Sequence, residues 1–164
     1  MSGRGDASFT QFVTASSPSL LHTAWLLCGD AHRAEDLVQE TYVRVYRRWR
    51  SMNGQPWSYA RKTLVNLNTD RWRATRLEVV SDDVPESGST VAQDQVDARR
   101  ALIDALNTLP RRERDVVVLR HYADLSEIQV ADLLGIGVGT VKSAGSRGLA
   151  RLRTQLDPAL EGQS

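Results

Sequence analysis

Ser126-Glu127-Ile128-Gln129-Val130-Ala131-Asp132-Leu133-Leu134-Gly135-Ile136-Gly137-Val138-Gly139-Thr140-Val141-Lys142 carries the reading that decides the fold. Ser126 followed three residues on by Gln129 is a capping box, in which each side chain satisfies a backbone N–H at a helix start. The helix it opens is short and stops at Gly135. After the turn Gly135-Ile136-Gly137, with Gly137 at the next N-cap, a second helix begins near Val138. Ala131, Gly135 and Val141 stand where a helix-turn-helix needs a small contact residue, a sharp turn and an apolar lock. The second helix is expected to turn Val138, Val141, Leu149 and Leu152 inward, joined by Gly145. Thr140, Ser143, Ala144, Arg147 and Arg151 then point away, a surface suited to a major groove, with Arg for guanine or phosphate and Ser or Thr as adaptable donors. The competing reading is an ordinary packed helix with solvated arginines.

Outward from that motif the chain reads as helix, with almost no strand signal. Further helices are expected at roughly 94–107 and 111–122, the latter absorbing the β-branched run Val116-Val117-Val118, and the motif helices at 127–134 and 138–154. Upstream, Phe9 to Leu27 reads as helical, interrupted near Ser16-Ser17-Pro18 because Pro suits a first turn. Gly29 is a C-terminal stop and Asp30 an N-cap for the next helix. From Ala31 to about Trp49, Val38, Tyr42, Val45, Tyr46 and Trp49 share one side at 100° per residue, with Asp36, Glu40, Val43, Arg44 and Arg47 on the other. Ser51 to Pro56 is turn-rich. From about Trp57 to Arg76, a helix places Ala60, Leu64 and Leu67 inward. Lys62, Asn66, Thr69 and Arg73 form its outward stripe, flanked by Val65 and Trp72.

The chain has 164 residues, 41% of them apolar and 25% charged, enough for one ordinary globular domain or two small ones. No run approaches the length of a membrane span, and Met1-Ser2-Gly3-Arg4-Gly5-Asp6 lacks a signal-peptide core, so a soluble, cytoplasmic protein is expected. The single Cys28 and the scattered His22, His32 and His121 argue against a disulfide framework or a metal site, and no cofactor is expected. The net charge of +1 conceals segregation. Residues 1–40 carry −3, residues 41–77 carry +8, residues 78–97 carry −6, and Lys142 to Arg153 hold four bases and no acid. Two basic islands about an acidic strip suggest two polyanion-facing surfaces. Ser81-Asp82-Asp83-Val84-Pro85-Glu86-Ser87-Gly88-Ser89-Thr90 has linker composition. The expected architecture is all-α: a domain over 1–77, a flexible acidic linker over 78–97, a second domain over 98–157 and a tail over 158–164.

Ala34-Glu35-Asp36-Leu37-Val38-Gln39-Glu40-Thr41-Tyr42 closely resembles region 2.2 of bacterial extracytoplasmic-function (ECF) sigma factors. Leu109-Pro110-Arg111-Arg112-Glu113-Arg114, Leu125-Ser126-Glu127 and Val138-Gly139-Thr140-Val141-Lys142-Ser143 look like their region 4. The tail Ser146-Arg147-Gly148-Leu149-Ala150 is most similar to the actinobacterial SigE-like subgroup, and 19 Arg against 2 Lys suits a GC-rich genome. The resemblance implies two helical domains, region 2 and region 4, that bind core RNA polymerase, recognise the −10 and −35 promoter elements and help open the duplex, without catalysis. It implies that Asp36, Gln39 and Glu40 engage the β′ clamp helices, that Asn53, Lys62, Asn66, Arg71 and Arg73 serve the −10 element, and that Thr140, Lys142, Ser143, Arg147 and Arg151 serve the −35 element. A contact with the β flap and an anti-sigma factor are further partners the family suggests. Trp72 offers a flat surface for stacking, although a Trp at such spacing is more often core.

The family's linker threads into the RNA exit channel of the polymerase. Extended, residues 78–97 span at most about 70 Å, and as a coil about 25 Å. Promoter elements sixteen to eighteen pairs apart lie about 55–60 Å apart at roughly 3.4 Å per pair, so the linker reaches when largely stretched. Ala144 stands where the family usually carries a longer polar side chain, and Gly145 where a larger one packs. With Gly148 adding another helix-weakening glycine, looser −35 readout is expected, and Ala144→Arg should raise promoter affinity. Three other readings stay open: a free-standing helix-turn-helix regulator, an all-helical metal-dependent nuclease, and a degenerate sigma-like protein that drives little transcription.

Overall fold

Gly3 to Cys28 form one unbroken helix, α1, that runs through Pro18. The break expected at Ser16-Ser17-Pro18 does not occur, because packing outweighs the local rule. Ser16 is fully buried, its hydroxyl donates to the Phe12 carbonyl at 2.7 Å, and it lies 2.7 Å from the Tyr42 hydroxyl. The ring of Pro18 removes one backbone bond of the ladder, while Phe12, Leu20 and Ala24 on either side of it stay in the same core. The helix also starts before Phe9. Asp6 accepts from the Tyr46 hydroxyl at 3.1 Å and Ser8 from the Trp49 indole at 2.9 Å, which ties this early turn down.

The computed structural model describes residues 3–77 and 93–157, which fall into two compact units. In the first, Gly29 adopts a left-handed φ of 76° and ends α1, and Asp30 caps α2 (Ala31–Arg48) by accepting from the Arg33 N–H at 2.9 Å. A 3₁₀ turn, Trp49–Ser51, leads by a short loop to α3 (Pro56–Leu77). The three helices pack on one another around Phe12, Leu20, Ala24, Leu37, Val45 and Leu64. The inward face of α2 is rotated from the expected one. Ala34, Leu37, Val38, Thr41 and Val45 are buried, whereas Tyr46 is exposed, with its ring 4.9 Å from Phe9. On α3, Ala60, Leu64 and Leu67 do face inward, and Val65, expected on the flank, is buried with them.

The second unit comprises α4 (Gln93–Asn107), α5 (Arg111–Val117) continuing as a π-helical turn over Val118–Tyr122, α6 (Glu127–Leu134) and α7 (Val138–Leu156). Residues 93–97 of the expected linker are therefore the first turn of α4. Residues 78–92, with most of the acidic strip, and the tail 158–164 lie outside the described residues. Val116, Val117 and Val118 are buried on every side, which explains a β-branched run inside a helix: core packing here outweighs a weak propensity. α4, α5 and α6 all pack on α7.

Candidate nucleic-acid interface

α6 and α7 are joined as the sequence predicts. The Gln129 N–H donates to the Ser126 hydroxyl at 3.1 Å, and the Ser126 N–H donates to Gln129 Oε1 at 2.8 Å, closing the capping box. Gly135 takes φ 66°, and the Ile136 N–H reaches back to the Ala131 carbonyl at 3.1 Å. Gly137 caps α7 without a side chain to help it.

The inward face of α7 differs from the expected one. Val141, Ala144, Gly148 and Leu152 are buried, while Val138 is exposed. Ala144 has 0% exposure, so it reads no DNA, and the expected gain from Ala144→Arg is overturned. The cause lies in α5. A Cβ added at Gly148 would stand 2.6 Å from Val117 Cγ2 and 3.2 Å from the Glu113 carbonyl, so the missing side chain is what lets the two helices close. That approach rolls Ala144 into the core. The glycine expected to weaken the helix is a packing requirement.

Thr140, Ser143, Arg147 and Arg151 remain exposed on α7, spaced three, four and four apart along one edge. Lys142 is exposed on another flank, with Nζ 3.8 Å from a Glu127 carboxylate oxygen. The arginines share a partner that the sequence does not single out. Arg147 Nε donates to Glu113 Oε1 at 3.3 Å, and Arg151 Nε lies 3.3 Å from Glu113 Oε2. The Glu113 side chain is only 7% exposed against 60% and 56% for the arginines. Its Oε2 is buried and lacks an aligned hydrogen bond despite that proximity. Nearby, burial pushes the Asp115 carboxyl up to about 6, opposed by the charges of Arg111, Arg114 and Arg112.

In the first unit, Lys62, Asn66 and Arg73 are exposed and Thr69 half-buried, so the outward stripe of α3 is present. Arg71 is exposed too, but nine residues from Lys62 it falls about 180° round the helix at 100° per residue and joins no stripe with it. Trp72 is 40% exposed, so it is not core. Asn53 is exposed in the loop before α3. Burial lowers the Arg61 guanidinium from its ordinary value. On α2, Asp36 and Gln39 are exposed. Glu40 is paired: Arg44 Nε donates to its Oε1 at 3.3 Å. Both side chains are partly exposed, and a pair of this kind is worth only a few tenths of a kcal/mol, about 0.3–0.5. A competing cation can displace it.

Among the described residues, no His, Cys, Asp and Glu group could hold a metal ion, and no helix is long and apolar enough to cross a membrane. The model of Sigma-70 region 2 matches residues 12–78, and that of Sigma-70, region 4 matches residues 99–152. The chain is 38% identical over 151 residues to the RNA polymerase sigma-E factor of Streptomyces coelicolor, covering 90% of this chain and 85% of that one. It is 30% identical to the ECF RNA polymerase sigma factor SigW of Bacillus subtilis, covering 93% and 91%. Among solved structures, the sigma factor RpoE in complex with the anti-sigma factor NepR from Bartonella quintana matches with a TM-score of 0.69 at 25% identity, covering 91% of this chain and 96% of that one. CnrH, solved with the cytosolic domain of CnrY, shares the fold with a TM-score of 0.68 at 22% identity, covering 96% and 92%.

Proposed function

The chain belongs to the ECF sigma factors of the sigma-70 family, and on that premise we propose which of its surfaces do the family's work. It is an alternative sigma factor acting in transcription initiation, a transcription regulator rather than an enzyme, in a family that binds core RNA polymerase and promoter DNA. Residues 1–77 form the unit for core polymerase and the −10 element, residues 98–157, led by the first turn of α4 at 93–97, the unit for the −35 element, and residues 78–92 tether them. Asp36, Gln39 and Glu40 meet the β′ clamp helices, and region 4 meets the β flap. Glu40 does so by exchanging Arg44 for a cation of the partner.

On α3, Lys62 and Arg73 hold strand phosphates, Asn66 reads a flipped −10 base and the exposed Trp72 ring gives a stacking surface. Arg71 and Asn53 contribute from its far side and from the preceding loop. An opened strand needs this combination of cations and flat groups. On α7, Thr140, Ser143, Arg147 and Arg151 enter the major groove at the −35 element, with Lys142 on a flanking phosphate. The site of action is the cytoplasm. An anti-sigma factor is a further proposed partner, by analogy with RpoE bound to NepR.

The observation that carries this reading is the closed helix-turn-helix with its exposed Thr140–Ser143–Arg147–Arg151 edge, on a unit separate from a second basic stripe. In vitro transcription tests it, with purified core polymerase and a genomic promoter library. Specific transcripts that require the chain are expected, and their absence would reject it.

A further inference from the structure

We propose that Glu113 is a positioning residue for promoter readout: its buried carboxylate holds Arg147 and Arg151 by their Nε atoms and presents their terminal amino groups to DNA. The inference rests on the assignment of α7 to the −35 element.

Glu113 belongs to α5, not to the helix assigned to the major groove, and is buried. It sits in the first turn of that helix, where the backbone dipole favours a negative charge. Both contacts use Nε, one at each carboxylate oxygen, at 3.3 Å. A guanidinium has five N–H donors in a rigid fork, so an arginine anchored through Nε keeps its two outer nitrogens for a base or phosphate. Arg147 and Arg151 are one helical turn apart, about 6 Å along the axis at 1.5 Å per residue, so a single carboxylate orients the first fork by a hydrogen bond and keeps the second beside it by charge. α7 carries no acid of its own to do this.

Two consequences favour discrimination. Arginines already held lose less rotamer freedom on docking, which strengthens binding wherever their fixed geometry fits. The shared carboxylate also lowers the pair's net charge from +2 to +1, which holds down attraction to phosphate on any sequence. The Glu113 stem packs beside Gly148, where an added Cβ would meet Glu113 Cβ at 3.3 Å. The informative change therefore keeps shape and removes charge.

The test uses the full chain assembled with core polymerase. A −35 duplex is first selected by the native holoenzyme from a randomised duplex pool, and binding to it and to a scrambled duplex is measured across salt concentrations. In Glu113→Gln the affinity ratio of selected to scrambled duplex should fall about tenfold, and the salt dependence should steepen by about one counterion. With Arg147→Ala and Arg151→Ala together, Glu113→Gln should change the ratio no further. An unchanged ratio in a folded Glu113→Gln chain, or an equal fall in the double-alanine background, would overturn the inference. Should Glu113→Gln fail to fold, Arg147→Lys decides: one ammonium cannot serve carboxylate and base together, so Lys should lose as much discrimination as Ala, and Lys performing like Arg would overturn the inference. Failure of the native holoenzyme to select any duplex would overturn the assignment of α7 and this inference with it.

Discussion

Gly148 lies so close to Val117 that a Cβ on Gly148 would stand 2.6 Å from Val117 Cγ2, with the Glu113 backbone oxygen at 3.2 Å. Neither a buried β-branched side chain nor a helical carbonyl can retreat freely. Gly148→Ala gains about 1 kcal/mol of helix propensity but forces α5 and α7 apart, an overpacking cost of about 1–3 kcal/mol. Net destabilisation is expected. Gly145 is the control, because a Cβ there meets only Val116 Cγ1 at 3.4 Å. Gly145→Ala should be neutral or stabilise by up to about 1 kcal/mol. Urea unfolding of the two variants checks the contrast, and equal effects would refute the close crossing.

Ala144→Arg tests the same crossing from the other side. With Ala144 fully buried, the new guanidinium must enter the packed interior of the second unit or force α7 away from it. Unpaired buried charge belongs to the mutations that cost more than about 4 kcal/mol. The variant should lose cooperative unfolding of the second unit and −35 binding together. A folded variant that binds promoter DNA more tightly would restore the reading of Ala144 as an outward residue.

Ala144 also shows where a sequence stops being legible. The capping box of Ser126 and Gln129, the left-handed Gly135 and the spacing of Leu64 and Leu67 are local signals, each set by a few neighbouring residues, and they locate the helices well. The face that α7 buries depends on how near α5 comes, and glycine and alanine carry no apolar period to announce it. Val138 illustrates the converse, an apolar residue left exposed at a helix start. Pro18 reads locally as a boundary, yet α1 continues through it beside the buried Ser16 and its Tyr42 partner. Trp72 reads as core by type and is exposed because residues 70–75 of α3 are all exposed. Glu113 is one charge among many in Arg111-Arg112-Glu113-Arg114, and only the fold reveals that it is buried beneath two arginines of another helix.

Asp115 should give the second unit an unusual pH response. Its carboxyl is raised to about 6 chiefly by burial, and Oδ1 has no hydrogen-bond partner. Between about pH 4 and pH 6 the folded chain therefore holds a proton that the unfolded chain has released. This component of stability is full below about pH 4 and is lost as pH rises through about 6. Two units at 1.36 kcal/mol each make it on the order of 3 kcal/mol. Asp115→Asn removes the titration, so the unfolding free energies of the two chains should diverge across that window. Parallel pH profiles would show that Asp115 does not titrate there.

The proposed surfaces are separable by charge and shape, because Asn66 is exposed, Glu40 pairs with Arg44 near the surface, and Arg147 stays 60% exposed beside its Glu113 pair. Glu40→Lys loses only the Arg44 pair, worth about 0.3–0.5 kcal/mol, so the first unit should unfold almost as before. A cation in its place opposite a basic partner should lower core-polymerase affinity at least about tenfold, or 1.4 kcal/mol. Asn66→Ala should leave that affinity intact and slow strand opening, read by permanganate reactivity of unpaired thymines. Arg147→Ala should weaken −35 binding by about 1–3 kcal/mol if its fork reads a guanine, and more uniformly across sequences if it meets phosphate. Each loss must appear in its own assay, with thermal unfolding unchanged in Asn66→Ala, nearly so in Glu40→Lys, and lowered in Arg147→Ala by no more than the loss of its pair with the buried Glu113. Were all three variants to fail in all three assays through unfolding, these side chains would be supports of the fold and the division of surfaces would be wrong.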